Sequence, residues 1–104
     1  MDNVLVRIKR MVLAGRYLFS EKASTELEAE GLTELDLAEA VLNAVAIHTT
    51  LRARSPRRGQ RGEKLYVIVG TTLTGLPLYT KGKFLIDQER ETYYFLISSK
   101  RAEG

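Results

Sequence analysis

The sequence predicts an α+β fold in which N-terminal helices pack on a mainly antiparallel β-meander. Apolar residues in the first half recur at helical spacing, and the second half is rich in β-branched and aromatic residues separated by short turns. Short hairpin connections favour antiparallel pairing. With 104 residues, 44% hydrophobic and 28% charged, the chain is predicted to form one globular domain, residues 1–104.

Residues 3–14 are predicted to form the first helix. The apolar residues of this stretch fall on one helical face. Asp2 or Asn3 can cap the start of the helix, and Gly15 suits the left-handed position after its end.

A short extended segment and a second helix are predicted next. The aromatic stretch 16–19 favours an extended conformation. Ser20 is the expected cap of a helix over residues 21–30, and Gly31 ends that helix.

The third helix has the clearest start signal in the chain. Thr33 is followed three residues later by Asp36, which is a variant of the capping box. The apolar face continues to about residue 45. Alternatively, the helix ends slightly earlier, at Asn43.

From residue 46 onward the spacing of the apolar residues changes to two, which predicts strands. Residues 55–62, with one proline and two glycines, are predicted to be a loop. Gly82 marks a bulge or a break within a strand. Lys100 and Arg101 are expected to follow the end of the last strand. The predicted strands are residues 46–52, 65–71, 76–86 and 92–99.

Positive charge is concentrated in the second half of the chain. Residues 1–52 hold six lysines and arginines and eight acids, whereas residues 53–104 hold ten and five. The densest basic run contains a single acid, Glu63, and is a candidate contact for a polyanion such as RNA. The alternative is a solvated loop that keeps the protein soluble. The candidate RNA-binding residues are Arg54, Arg57, Arg58, Arg61 and Lys64.

The composition excludes several classes of chemistry. Because cysteine is absent, disulfides, thiolate catalysis and cysteine-based zinc sites are excluded. The single histidine argues against a zinc site, and no glycine-rich loop opens a helix as phosphate-loop nucleotide binding requires. We therefore expect no metal and no cofactor. No apolar run approaches the roughly 18 residues that cross a bilayer, and no signal peptide is evident, so we expect a cytoplasmic protein with no membrane partner.

The lone histidine, His48, is predicted to lie on a strand, on the face opposite Ile47 and Leu51. There it is either a general base near neutral pH or an exposed structural residue. Five glutamates fall at helical spacings that predict simple solvation. These are Glu26, Glu28, Glu30, Glu34 and Glu39.

A row of one phenol and two ammonium groups is the strongest candidate for a catalytic site. Tyr79, Lys81 and Lys83 are spaced by two, so they share a strand face unless a bulge intervenes. Lys100 reaches this row if the last strand pairs with theirs. Such a row can cleave RNA without metal, because lysines steady charge on the phosphoryl oxygens while a tyrosine or lysine moves protons. The alternative is an edge strand protected by lysines.

The stretch from Arg7 to Leu32 resembles the N-terminal part of small MqsR-like proteins, which belong with the RelE-like bacterial toxins. The pattern also resembles that of a related family of small domains. The features that carry the resemblance are Ala14-Gly15-Arg16, Ser20, Gly31-Leu32-Thr33 and the block from Tyr66 to Lys100.

The resemblance implies a RelE-like fold and a toxin that cleaves mRNA, paired with a cognate antitoxin protein. It implies a functional lysine at Lys100, because Ser98-Ser99-Lys100 matches a Ser-x-Lys segment of that family. A functional tyrosine of the family lies one strand earlier, where this sequence reads Lys83-Phe84-Leu85 and lacks the phenol. Two other hypotheses stay open, a non-catalytic module of the same fold that contacts a partner protein or nucleic acid, and a structural small subunit.

Overall fold

Three helices are followed by most of a five-stranded sheet in the computed structural model, which describes residues 3–53 and 63–102. None of the described helices is long and apolar enough to span a membrane. The helices are α1 (Val4–Leu13), α2 (Glu21–Ala29) and α3 (Glu34–Asn43). The strands are β1 (Tyr17–Phe19), β2 (Thr49–Arg52), β3 (Lys64–Thr71), β4 (Pro77–Ile86) and β5 (Thr92–Arg101).

The helix starts follow the capping signals of the sequence. The Asn3 side chain accepts the Leu5 N–H (3.0 Å), and the Ser20 hydroxyl accepts the Ala23 N–H (3.0 Å). At α3, Thr33 and Asp36 form the complete reciprocal capping box. Each cap satisfies backbone donors that a helix leaves unpaired, so the three predicted helices are confirmed within two residues of their ends.

The sheet is mixed, with the strand order β1-β5-β4-β3-β2. The predicted antiparallel meander of β3, β4 and β5 is confirmed, and β2 adds antiparallel to β3. At the other edge β1 pairs parallel to β5, with Tyr17 opposite Tyr94. The last strand of the chain, β5, therefore lies between β1 and β4.

Two strand boundaries differ by more than one residue from the sequence prediction. The chain bends at Ala46, and β2 begins only at Thr49. β5 continues through Arg101, because Lys100 pairs with Tyr79 and so remains in the ladder. The prediction that Lys100 and Arg101 follow the strand is therefore wrong.

All three helices pack on one face of the sheet. Along β4, Leu78, Thr80 and Gly82 are buried beneath the helices, whereas the residues between them are half-buried on the opposite face. We call this opposite face, which carries Tyr79 and Lys81, the open face. None of the described helices covers it. The largest fully buried side chains of the helical face are Ile8, Leu37, Val41, Ile68, Leu78, Tyr94 and Leu96.

The packing of α3 on β3 requires glycine at position 70. A Cβ placed on Gly70 would lie 1.8 Å from the Ala40 carbonyl oxygen and 3.3 Å from the Ala44 Cβ. Both atoms belong to the α3 segment, and a backbone carbonyl cannot rotate away. The helix therefore approaches the strand closely only because Gly70 has no side chain.

We predict that Gly70→Ala lowers the free energy of unfolding by about 3 kcal/mol, because α3 must move away from β3. Urea denaturation followed by circular dichroism measures the change. The exposed neighbour Thr71→Ala is the control and should change stability by less than about 1 kcal/mol. Equal stability of the two variants would show that α3 does not rest on this strand.

The most deeply buried phenol, Tyr94, has no hydrogen-bond partner for its hydroxyl among the described residues. A Cβ placed on Gly82 would lie only 2.6 Å from the Tyr94 ring, so the ring occupies space that a side chain at position 82 would need. The ring also packs edge-on against Phe84. Burial, with a smaller effect of Tyr66, raises the pKa of Tyr94 above its ordinary value of 10.0. The hydroxyl thus carries a desolvation cost that no protein contact offsets.

Tyr94→Phe should therefore stabilise the fold by about 1 kcal/mol, since it removes a buried unpaired hydroxyl and keeps the ring. Tyr93→Phe is the control, because the Tyr93 hydroxyl donates to Glu91 (3.4 Å) and remains half-buried. Above pH 10 the unfolded Tyr94 ionises and the folded one does not, so stability falls as pH rises. Above pH 10 the Tyr94→Phe variant should therefore lose less stability than the wild type. If urea denaturation shows the same loss of stability for both proteins above pH 10, Tyr94 is not its cause.

Candidate active site

A cleft of about 510 Å³ opens near the end of β5. Its volume falls within the range of about 300–1,000 Å³ that is typical of ligand sites. Two cations, one acid, one imidazole and one phenol meet there, so the cleft combines charge with groups that exchange protons. The lining residues are Glu30, His48, Val69, Tyr79, Lys100, Arg101 and Ala102.

Tyr79 and Lys100 form the centre of the cleft. They are direct partners in the β4–β5 ladder, and the Lys100 ammonium lies 5.4 Å from the centroid of the Tyr79 ring. An ammonium at this distance from an aromatic face is attracted to it. The cross-strand pairing that the sequence left conditional is therefore present.

Lys100 reaches the open face because β5 contains a bulge. Lys81 pairs with Ser98, but Gly82 pairs with Leu96, so Ile97 is one extra residue in β5. Regular alternation would place Lys100 with Tyr94 on the helical face. The extra residue reverses this parity and turns Lys100 towards Tyr79.

The bulge is held by polar groups of α2 and its cap. The Glu26 carboxylate accepts the Ser98 hydroxyl (2.8 Å) and the Ser99 N–H (3.2 Å). The Ser99 hydroxyl donates to the Ala23 carbonyl (3.0 Å), and the Ser20 hydroxyl donates to the Ile97 carbonyl (3.0 Å). Because Ser98 and Ser99 are buried, these bonds satisfy groups that would otherwise destabilise the irregular strand.

Five helix glutamates were predicted to be simply solvated, and for Glu26, Glu30 and Glu39 this prediction is wrong, because their carboxylates accept hydrogen bonds from other elements. One turn beyond Glu26, the Glu30 carboxylate accepts the Arg101 N–H (2.9 Å). On α3, Glu39 accepts the Leu73 N–H (3.2 Å). The sequence did carry a weak signal for Glu26, since it lies three residues after the buried Ala23 and directly before the buried Leu27.

His48 belongs to the cleft, which the sequence analysis did not predict. The bend at Ala46 precedes it, its N–H donates to the Val67 carbonyl (2.8 Å), and its side chain is exposed. The expected shared face of Ile47 and Leu51 is also wrong. Ile47 packs against the helical core, whereas Leu51 pairs with Leu65 on the open face.

The other two lysines of the predicted row do not line the cleft. Strand geometry places Lys81 about 7 Å and Lys83 about 13 Å from Tyr79 along β4. The Lys83 ammonium binds the Glu63 carboxylate (3.0 Å) and lies 6.0 Å from the centroid of the Phe95 ring. Lys81 thus extends the positive open face, and Lys83 forms an ion pair beyond it.

The predicted RNA-binding run is only partly described. Lys64 is exposed and pairs with Arg52, on the helical side of β3 rather than on the face of Tyr79. The remaining candidates lie outside the described residues, as does the predicted loop 55–62. Those candidates are Arg54, Arg57, Arg58 and Arg61.

We predict that Glu26→Ala lowers the free energy of unfolding by about 2 kcal/mol, since two buried donors lose a charged acceptor. The control is Glu28→Ala, an exposed glutamate on the same helix that carries the same loss of charge. It should change stability by about 0.5 kcal/mol or less. Equal losses in urea denaturation would show that α2 does not hold the bulge.

Comparisons with protein-family models, with curated proteins and with solved structures found no match to this chain. Among the described residues, no group of three or more histidine, aspartate and glutamate side chains could hold a metal ion.

Proposed function

We propose that this protein is a metal-independent mRNA endoribonuclease that acts as the toxin of a type II toxin–antitoxin pair. The observation that carries the proposal is the Tyr79–Lys100 pair, which lies in a cleft with Arg101 and His48. RNA can be cut without a metal when the 2′-hydroxyl attacks the adjacent phosphorus. Such a site needs cations for the phosphoryl oxygens and groups that move protons.

Two side chains of the cleft, together with Lys81 beside it, have roles in this chemistry. The Lys100 ammonium steadies the negative charge that grows on the phosphoryl oxygens as the O2′–P bond forms. The Tyr79 phenol, directly across the ladder, donates a hydrogen bond to the same phosphate and assists proton transfer. Lys81, one pair further along the open face, attracts the neighbouring phosphate of the chain.

The resemblance to MqsR-like toxins supports the same proposal at the position of Lys100. That family carries a functional lysine in a Ser-x-Lys segment, and Ser98-Ser99-Lys100 directly follows the bulge at Ile97 that turns Lys100 to the open face. A RelE-like fold, a cytoplasmic location and a cognate antitoxin protein belong to this proposal. The basic run of Arg54, Arg57, Arg58 and Arg61 supplies further contacts to the RNA backbone.

The test is induced expression of the wild type and of Lys100→Ala in a bacterial host, with growth and bulk mRNA integrity followed together. We expect the wild type to stop growth and shorten mRNA. Purified Lys100→Ala should cleave RNA roughly 100-fold more slowly, because one charge-stabilising donor is lost. Cleavage by the wild type should persist in excess EDTA.

The control variant is Lys22→Ala, which removes an exposed lysine on α2, away from the cleft. It should remain as toxic as the wild type, and circular dichroism should show that all three proteins are folded. A folded, harmless wild type with intact mRNA would overturn the ribonuclease proposal. Salt-sensitive RNA binding without cleavage would then identify a non-catalytic binding module.

A further inference from the structure

A basic groove of about 270 Å³ runs along the outer side of α1, in the helical layer. Residues 3–16 contain four of the six lysines and arginines of residues 1–52 and no acid, so the groove is strongly positive. Arginine and methionine are also the residue types that protein–protein interfaces favour. The residues that line the groove are Arg7, Arg10, Met11, Ala14 and Arg16.

Two of the three arginines are positioned by neighbouring side chains. The Arg7 guanidinium carbon lies 4.5 Å from the centroid of the Phe84 ring, and Arg16 binds the Glu91 carboxylate (3.1 Å). Arg10 is exposed, and no described residue forms an ion pair or a hydrogen bond with its guanidinium. A carboxylate of a partner can therefore bind Arg10 without displacing another group.

The turn from α2 into α3, residues 28–35, forms an acidic corner. It carries three glutamates and no lysine or arginine, and all of its residues except the half-buried Leu32 are exposed. Such a run of exposed residues between two helices projects from the surface, so its shape suits a groove. No described residue forms an ion pair or a hydrogen bond with the Glu34 carboxylate.

Each of the two surfaces also carries an exposed leucine. Leu13, directly before Ala14 of the basic groove, is 72% exposed, and Leu35 of the acidic corner is 67% exposed. Exposed apolar side chains beside unpaired charges are typical of surfaces that bind another protein. The chain thus carries a basic groove and an acidic corner that are complementary in charge and that both offer apolar contacts.

We infer that this protein forms a weak two-fold dimer in which the basic groove of each copy binds the acidic corner of the other. Both surfaces belong to helices on the same side of the sheet, so one two-fold axis can bring both contacts into a single closed interface. The open face and its cleft lie on the other side of the sheet and stay uncovered. The dimer therefore goes beyond the proposed function and does not depend on it.

Sedimentation velocity of the wild type, from about 10 to about 500 μM protein, tests for the dimer. At about 0.15 M salt we expect the average mass to rise with concentration from that of a monomer to that of a dimer and no further. At about 1 M salt the screening length falls from about 8 to about 3 Å, so the dimer should dissociate.

Charge reversals locate the interface. Arg10→Glu and Glu34→Arg should each weaken association at least about tenfold, because each change places like charges together in both contacts of the dimer. An equimolar mixture of the two variants should associate as strongly as the wild type, since both contacts then join an arginine to a carboxylate.

Two further reversals are the matched controls, and circular dichroism should show that all four variants are folded. Glu21→Arg changes the first residue of α2, the position that Glu34 holds in α3, and Lys22→Glu changes an exposed cation of the same turn. Both residues lie outside the basic groove and the acidic corner. These two variants should associate like the wild type.

Four results would overturn the inference. The first is a wild type that stays monomeric at about 500 μM, whether or not it cleaves RNA. The second is equal weakening by the test and control reversals, and the third is a mixture that associates no better than its components. The fourth is growth beyond a dimer, which would show an open head-to-tail chain.

Other occupants of the basic groove are distinguishable with the same variants. Titrations with labelled RNA and with poly-glutamate compare the wild type with Arg10→Glu. If the wild type is monomeric and Arg10→Glu weakens the binding of either probe, the groove serves a nucleic acid or an acidic protein instead, and the dimer is overturned.

Discussion

The extra residue at Ile97 decides which side chains of β5 share the open face with Tyr79. Side chains alternate strictly along a strand, so a single inserted residue exchanges the two faces for everything that follows it. Before the bulge, Tyr94 and Leu96 pack into the helical core. After it, Lys100 faces the cleft, where its side chain is exposed to solvent. The helical core and the cleft can therefore be built on one continuous strand.

Such an irregular strand needs support, and α2 supplies it with polar groups. From its N-cap to its C-cap, the helix presents Ser20, Ala23, Glu26 and Glu30 to residues 97–101 of β5. Each of these bonds joins a helix position to a particular strand position, so it fixes the register more sharply than apolar contact alone. The helix that holds the bulge, α2, also ends at the cleft. The packing of α2 on β5 therefore affects the positions of the charged residues of the cleft, Glu30, Lys100 and Arg101.

The sequence predicted most of the local structure and much less of the site. Caps such as Asn3, Ser20 and Thr33 act on the next three residues, so their effects are readable locally. The bulge exists only in the pairing of β4 with β5. Gly82 lies in β4, and its presence in the sequence could not show that the extra residue belongs to β5. The orientation of His48 depends on the bend at Ala46, because the alternation of side chains between the two faces of a strand does not continue through a bend. Glu30 looked solvated because its partner, Arg101, is 71 residues away.

The pairing of β1 with β5 also has a consequence for how the molecule is made. Ser20, which follows β1, and Ile97 of β5 are 77 residues apart in sequence, yet the Ser20 hydroxyl donates to the Ile97 carbonyl. Contacts between such distant segments close large loops and form slowly. Since β5 lies between β1 and β4, a nascent chain that has not yet released β5 from the ribosome has neither a complete sheet nor Lys100 and Arg101 in place. The cleft is thus assembled only after β5 has been synthesised, when β1 meets its partner.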